Sequence, residues 1–144
     1  MTYWQTDGRN VTMALIRSIL FSLFLIFTTV ITGVFVLLLF PFPYHLRYLL
    51  INAYATLSIN ALTFFCGIKY HVEGTENIPT EPAIIFCKHQ STWETYVLQV
   101  IFPPLSYVFK QELFWIPFFG WGLAAMKPVA IHRGSGKKAV NQVV

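Results

Sequence analysis

The sequence predicts an α/β fold, a mixed sheet flanked by helices, preceded by two membrane-embedded helices at the N-terminus. Two observations lead to this prediction: charged residues are missing from long stretches before Lys69, and strand-like runs alternate with helix-like runs after it. Of the 144 residues, 56% are hydrophobic and 11% are charged, whereas about a quarter of the residues of soluble domains are charged. This composition argues against a wholly soluble single domain.

The first hydrophobic helix is predicted from the run ILFSLFLIFTTVITGVFVLLLF, residues 19–40. A helix of about 22 residues rises ~33 Å, which matches the hydrocarbon thickness of a bilayer. A cleaved signal peptide is the alternative, but the run is longer than the apolar core of such a peptide and no small-x-small cleavage site follows it. We therefore expect an uncleaved anchor.

The second helix is predicted from residues 48–68, which again carry no charge. On a helical wheel, one polar stripe within about 80° is formed by Asn52, Thr56, Asn60 and Thr63. The stripe could hydrogen-bond to the first helix or lie at the headgroup level, and a buried helix of a soluble part is a third option. Pro41 and Pro43 interrupt the chain between the two segments, which predicts a hairpin or a re-entrant pair.

These features divide the chain into a cytoplasmic flank at 1–16, the two-helix anchor at 17–68 and a polar part at 69–144. Seven of the ten Lys and Arg residues lie in the polar part, which by the positive-inside rule faces the cytoplasm. The net charge of +4 suits an anionic membrane surface or a phosphorylated substrate. Without an Arg-rich run, the charge does not indicate a nucleic-acid partner. Cys66 and Cys87 are expected to be reduced thiols.

The polar part alternates strands with helices. We predict strands at 68–74, 83–87, 105–110 and 127–133, and helices at 93–102 and 116–126. Such a sheet has crossover connections and binds ligands beyond the carboxyl ends of its strands. Lys88, His89, Lys110 and Arg133 follow successive strands and are therefore expected along one rim, where a phosphorylated substrate would bind.

His89 and Glu94 lie five positions apart at the start of the predicted helix. Ser91 and Glu94 fit a capping box, which explains the carboxylate without catalysis. Alternatively, the His89 imidazole takes a proton from a hydroxyl group while Glu94 fixes its tautomer and stabilises the imidazolium. The two roles are compatible because a carboxylate has two oxygens.

Two other chemistries fit this segment poorly. Ser91 lacks the G-x-S-x-G turn that exposes a serine nucleophile. The histidines His71, His89 and His132 lack the paired ligand spacing of zinc sites, so we expect no metal.

The segments KHQSTWE, FKQELFWIPFFGWGL and PVAIHR resemble the bacterial lysophosphatidic acid acyltransferase family (1-acyl-sn-glycerol-3-phosphate acyltransferases). The resemblance covers roughly residues 15–138. In the family, the first motif is a His, four residues and an Asp; here it is His89 with Glu94, whose side chain is one methylene longer. The resemblance implies that His89 is the catalytic base and Glu94 its partner, in an acyltransferase-type mixed sheet.

The second motif of the family matches Lys110, Glu112, Leu113, Pro117, Phe119 and Gly120. The resemblance implies that Pro117, Phe119 and Gly120 shape the acceptor and acyl pocket. Arg133 matches a third motif, with His132 where the family has an acid, and Lys110, Arg133 and Lys88 are candidate phosphate contacts. Five aromatic residues could line an acyl channel, sit at the membrane interface or pack in the core: Trp93, Phe114, Trp115, Phe118 and Trp121.

The Glu-Gly-Thr-Arg motif of the family does not occur before Val144, so we expect the N-terminal part of a longer protein, inactive alone. The resemblance implies transfer of a fatty acyl group from acyl-CoA or acyl carrier protein to lysophosphatidic acid, giving phosphatidic acid. It further implies a bacterial inner-membrane location, membrane lipid as a partner, and no cofactor beyond the acyl donor. The alternatives are another lysophospholipid acceptor or a non-catalytic lipid-binding protein anchored in the membrane.

Overall fold

The computed structural model describes residues 11–88, 90–102 and 104–131. In these ranges the helices are α1 (Val11–Leu38), α2 (Tyr44–Cys66), α3 (Thr92–Ile101) and α4 (Phe119–Ala125), and the strands are β1 (Val108–Lys110) and β2 (Val129–Ile131). Two short 3₁₀ turns, Thr75–Asn77 and Gln111–Trp115, complete the described elements.

The two apolar helices form an antiparallel hairpin. Pro43 immediately precedes α2, where its missing N–H is not needed. Gly67 ends α2 in the left-handed conformation at φ 69°, and its N–H donates to the Thr63 carbonyl at 2.9 Å. The antiparallel arrangement is fixed by ring contact between Phe24 and Phe65, whose centroids are 5.7 Å apart.

Both helices are long and apolar enough to cross a membrane, a property that buried helices of soluble proteins and signal sequences share. The surface of α1 bears on the first of these cases, the buried helix. Within the described residues, α1 buries only Gly33 and Val36, and its apolar side chains remain exposed, including 63% of Ile26 and 66% of Phe27. A core helix of a soluble protein would bury such residues.

The polar stripe of α2 does not join the two helices. The Thr56 hydroxyl donates to the Asn52 carbonyl at 3.0 Å, and the Thr63 hydroxyl donates to the Ile68 carbonyl at 2.9 Å. The hydroxyl contact between the helices is instead made by Thr29 and Tyr54, at 2.6 Å. Within the described residues no hydrogen bond from the stripe reaches α1, since these threonines bond within their own segment and Asn52 Oδ1 has no partner.

The hairpin and the polar part share one hydrophobic core. Val36 of α1 and Ala125 of α4 are each 1% exposed, and they cluster with Ile51 of α2 and with Met126. Near the hairpin turn, the Tyr44 hydroxyl donates to the Met126 carbonyl at 3.4 Å. The hairpin is thus packed against the polar part.

The described part of the polar domain contains a two-stranded parallel sheet. Val108 pairs with Val129, and Lys110 pairs with Ile131. The 3₁₀ turn at Gln111–Trp115 and α4 connect the two strands, so the predicted crossover is present. These strands correspond to the predictions at 105–110 and 127–133.

The strands predicted at 68–74 and 83–87 do not form in the described structure. Ile84 is 84% exposed and Phe86 is 95% exposed, although their apolar run predicted burial on both faces. A strand requires a neighbouring backbone as well as an apolar pattern, and no described strand lies beside this run. The observed architecture is therefore helical with a small parallel sheet.

Candidate active site

The site residues predicted from sequence fall into two groups. His89 and Arg133 lie outside the described residues, so the pairing of His89 with Glu94 and the phosphate contact of Arg133 stay predictions. The described site residues are Glu94, Lys88, Lys110, Pro117, Phe119 and Gly120.

Glu94 fixes the turn that leads into α3. Ser91 is the N-cap, with extended backbone at φ −149°, and Glu94 lies in the first helical turn. Glu94 Oε2 accepts the Gln90 N–H at 2.7 Å, and the Ser91 hydroxyl lies 3.4 Å from Oε1, to which it donates. The Ser91 side chain caps no helix N–H. The predicted capping box is therefore wrong in detail. In a capping box the carboxylate would accept the N–H of the N-cap residue Ser91, whereas here it accepts the N–H of Gln90, one residue earlier.

This geometry suits a catalytic carboxylate. The positive end of the α3 dipole favours an ionised Glu94, and the short bond to Gln90 holds the carboxylate at the residue that follows position 89. The rest of α3 is set by its buried residues Val97 and Gln99, which pack the helix against α2.

Lys110 ends β1, as predicted for a residue on the rim of the sheet. Its Nζ lies 3.6 Å from Glu112 Oε1, and the two side chains are 47% and 50% exposed. An exposed pair of this kind contributes only about 0–1 kcal/mol, so the ammonium group can exchange the carboxylate for a phosphate at small cost. Lys88 is also exposed, in a segment without regular structure.

The segment Pro117 to Gly120 makes a tight turn before α4. Phe118 adopts positive φ, 62°, while the Phe119 N–H donates to the Pro117 carbonyl at 2.6 Å. A Cβ at Gly120 would overlap the carbonyl of Phe114 in the preceding 3₁₀ turn. Gly120 therefore permits close packing of α4 against that turn, a backbone role.

Gly33 allows the same turn to approach α1. A Cβ on Gly33 would lie 2.8 Å from the Phe118 Cβ, closer than side chains tolerate. The predicted pocket segment is therefore seated directly on the hairpin.

Two cavities lie between the hairpin and the polar part. The outer cavity, about 110 Å³, adjoins the first turn of α3. It is lined by Phe21, Leu25, Ser58, Ile59, Leu62, Thr92, Trp93 and Tyr96. The inner cavity, about 70 Å³, lies among α1, α2, α3, β1 and α4. Phe119 lines the inner cavity, whereas Pro117 and Gly120 do not.

The predicted aromatic set divides among different environments. Trp93 lines the outer cavity and meets the Tyr70 ring edge-on at 5.7 Å. Phe118 lines the inner cavity, and Trp115 is 83% exposed. These residues therefore do not form one channel or one belt.

A half-buried group of hydroxyls beside the cavities was missed by sequence reasoning. The hydroxyls of Thr29 and Tyr54 lie 2.6 Å apart, and that of Tyr54 lies 3.3 Å from the Tyr96 hydroxyl. Burial, with a smaller effect of Tyr54, raises the pKa of Tyr96. Tyr107 donates to the Thr95 carbonyl at 2.6 Å, and burial also raises the pKa of Tyr107.

Gln99 belongs to the same buried polar region. Its side chain is 2% exposed, and within the described structure neither amide atom makes a well-aligned hydrogen bond, although the amide interacts with the hydroxyl of Tyr48. Tyr96 and Gln99 are three residues apart and so share a face of α3. That spacing is the only sequence signal for the pair, and an ordinary surface helix would show it as well.

Comparison with known proteins establishes the family. Residues 69–144 match the family model described as Acyltransferase. The chain belongs to the acyltransferase family. It is 42% identical over 134 residues to a 1-acyl-sn-glycerol-3-phosphate acyltransferase of Pseudomonas aeruginosa, across 92% of this chain and 52% of the relative. The predicted family resemblance is thus confirmed.

More distant relatives carry the same name. The enzyme of Saccharomyces cerevisiae is 30% identical over 83 residues, which are 57% of this chain and 27% of the relative. The enzyme of Cocos nucifera is 26% identical over 140 residues, which are 95% of this chain and 45% of the relative. This acyltransferase chain thus spans about half the length, or less, of the curated relatives it matches. No solved structure matches it.

Proposed function

We propose that this chain is part of an enzyme that moves a fatty acyl group from an acyl thioester to the free hydroxyl of lysophosphatidic acid, giving phosphatidic acid. The family match and the names of three relatives support the reaction. The structural observation that carries the proposal is the Glu94 carboxylate, which is bonded to the Gln90 N–H at 2.7 Å beside position 89. The thioester is that of coenzyme A or of acyl carrier protein.

In the proposed reaction, His89 removes the proton of the acceptor hydroxyl while Glu94 stabilises the imidazolium. The hydroxyl oxygen attacks the thioester carbonyl and forms a tetrahedral intermediate. When this intermediate collapses, the carbon–sulfur bond breaks and the thiol leaves with the proton from His89. The reaction needs no covalent acyl-enzyme.

The substrate is held by charge at one end and by apolar contact at the other. Lys110, with Arg133 and Lys88, binds the phosphate of the acceptor. When the phosphate binds, Lys110 exchanges its exposed ion pair with Glu112 for an ion pair with the phosphate. The outer cavity beside Thr92 and Trp93 holds a fatty acyl chain, because half of its lining residues are Phe, Leu and Ile side chains of the hairpin.

The hairpin keeps this site at the lipid surface. The polar part contacts α2 from Tyr44, near Met126, to Ile59, near Thr92. Those 16 residues of helix rise about 24 Å, most of the ~30 Å hydrocarbon thickness. A hairpin that crossed the membrane would carry these polar contacts into hydrocarbon, which is costly. These contacts support a hairpin that lies in one leaflet, and we propose that the membrane is the bacterial inner membrane, with the polar part facing the cytoplasm.

The proposal is tested by Glu94→Gln in the full-length protein, with phosphatidic acid formation measured from lysophosphatidic acid and either acyl donor. Glutamine still supports a helix start, so a role limited to the turn predicts nearly normal activity. The catalytic role predicts a loss of about 100-fold or more. Glu76→Gln, the same change in an exposed 3₁₀ turn, is the matched control. Normal activity of Glu94→Gln would refute the catalytic assignment of Glu94. A faster reaction with another lysophospholipid would refute lysophosphatidic acid as the acceptor.

A further inference from the structure

Two cations surround one aromatic ring at the turn of the hairpin. The Arg47 guanidinium carbon lies 6.0 Å from the centroid of the Tyr44 ring, and the Lys127 ammonium lies 5.3 Å from the same centroid. Arg47 also lies 5.1 Å from the centroid of Phe40. Because Arg47 belongs to α2 and Lys127 follows α4, the hairpin and the polar part each contribute one positive charge.

The backbone of Lys127 is anchored, while its side chain is exposed. The residue adopts the left-handed conformation at φ 51°, and its N–H donates to the Ala124 carbonyl at 3.3 Å. Its carbonyl accepts the Ser106 hydroxyl at 3.2 Å. The start of the side chain is therefore fixed beside the Tyr44 ring, and the flexible stem allows the ammonium group to turn toward a ligand.

The two cations lack an anionic partner in the described part of the chain. Among the described residues, neither Arg47 nor Lys127 makes an ion pair with a carboxylate. The Nε atom of Arg47 is buried there without a hydrogen-bond partner. Aromatic rings attract a cation only weakly, whereas a guanidinium group binds a phosphate through paired, charge-assisted hydrogen bonds. A phosphate would therefore complete the contacts of this pair.

The pair lies away from the candidate catalytic turn and next to apolar surface. Lys127 precedes β2 whereas Lys110 ends β1, so the two lysines lie at opposite edges of the parallel sheet. Beside Arg47, the side chains of Phe40 and Phe42 are 62% and 52% exposed. A ligand that suits these surroundings has both an anionic group and apolar chains, as an anionic phospholipid does.

We propose that Arg47 and Lys127 together bind the phosphate of an anionic phospholipid of the surrounding membrane, whose acyl chains lie along Phe40 and Phe42. Arg47 supplies paired N–H donors, and the Lys127 ammonium turns from the Tyr44 ring to meet the same phosphate. This site goes beyond the proposed acyl transfer, because no step of that reaction takes place at the hairpin turn.

Native mass spectrometry of the full-length protein tests the site. The protein is released from detergent micelles that contain equal amounts of phosphatidylglycerol and phosphatidylcholine, and the ratio of the two bound lipids is measured. A basic residue near a membrane surface strengthens the binding of anionic lipid about fivefold. Arg47→Gln and Lys127→Gln should therefore each lower the ratio by about fivefold, and the double variant should lower it further. An unchanged ratio in the double variant would overturn the inference.

Matched variants separate this site from a general attraction of charge. Lys69→Gln removes an exposed cation beyond the other end of α2 and should leave the ratio nearly unchanged. Arg47→Lys keeps the charge, so its ratio should lie between those of the unaltered protein and Arg47→Gln, and it replaces the Gln variant if that fails to fold. An equal fall in Lys69→Gln would show unspecific attraction, and a fall confined to Lys110→Gln would place the lipid at the candidate active site. Either result would overturn the inference.

A soluble anion distinguishes a lipid site from a phosphate site. Millimolar inorganic phosphate should leave phosphatidylglycerol bound, because it makes no apolar contact with the hairpin. Its displacement of the lipid would show that the pair takes a free phosphate, and the assignment to a phospholipid would be wrong. Since no acyl transfer is measured, failure of the proposed function would appear separately, as absence of phosphatidic acid formation by the unaltered protein.

Discussion

The first turn of α3 and the middle of the same helix hold two kinds of polar group. At the first turn, Glu94 bonds to the neighbouring Gln90 and Ser91, in an exposed turn that sequence spacing describes well. In the middle, Tyr96 and Gln99 face the hairpin, and the Tyr96 partner Tyr54 lies 42 residues away in sequence. The comparison teaches that the contacts of the candidate catalytic turn are locally encoded, whereas the contacts in the middle of α3 depend on how the hairpin docks.

The largest expected effect concerns the first turn. His89→Ala in the full-length protein should lower kcat/KM for phosphatidic acid formation by about 10²–10⁴, because it removes the proposed general base. The membrane-bound fraction should stay unchanged, because the substitution leaves the apolar helices α1 and α2 unaltered. Near-normal turnover would show that the first turn has no catalytic role.

A smaller effect, on stability, is expected at Gly120 of α4. Gly120→Ala should lower the free energy of unfolding by about 1–3 kcal/mol, because the new Cβ overlaps the Phe114 carbonyl. Urea unfolding in detergent micelles, followed by tryptophan fluorescence, measures it. Gly122→Ala is the control two residues away, where a Cβ meets no neighbour. Equal stability of the two variants would contradict the close approach.

The sequence predicted local elements well and their partners poorly. The helix expected at 93–102 is observed at Thr92–Ile101, and the last two predicted strands contain β1 and β2. The strand expected at 83–87 failed because an apolar run does not specify which backbone will pair with it. The stripe that includes Thr56 and Thr63 misled for a related reason, since a hydroxyl on a helix can satisfy itself on its own backbone.

In the candidate site too, the sequence predicted local features and missed those that depend on tertiary contacts. Spacing and family resemblance selected Glu94 and Lys110, whose surroundings come from residues close in sequence. Neither pointed to Tyr54 or Tyr96, because a tyrosine in an apolar segment has the same local pattern whether it packs, bonds or lines a cavity. Only the docking of α3 on α2 distinguishes these roles.

The middle of α3 should gain a little stability when its poorly paired amide is removed. Gln99→Leu is expected to raise the free energy of unfolding by at most about 1 kcal/mol, because the buried amide makes no well-aligned hydrogen bond and its removal costs only the interaction with the Tyr48 hydroxyl. The same urea titration in micelles measures the change. Val97→Ala, at a neighbouring buried position, is the control and should destabilise the protein by removing apolar contacts. A loss of stability in Gln99→Leu would mean that the amide is paired in the folded protein.

The smallest stability effect is expected at the exposed rim. Glu112→Gln should change the free energy of unfolding by less than about 1 kcal/mol, because its ion pair with Lys110 is about half exposed and screened by solvent. Lys110→Gln should be equally mild in stability yet raise KM for lysophosphatidic acid, since the ammonium group is proposed to meet the phosphate. Measuring KM for both variants at low and high salt distinguishes a phosphate contact of Lys110 from its ion pair with Glu112. If the charge matters only for folding, both variants will keep the KM of the unaltered protein, and the phosphate contact must lie elsewhere.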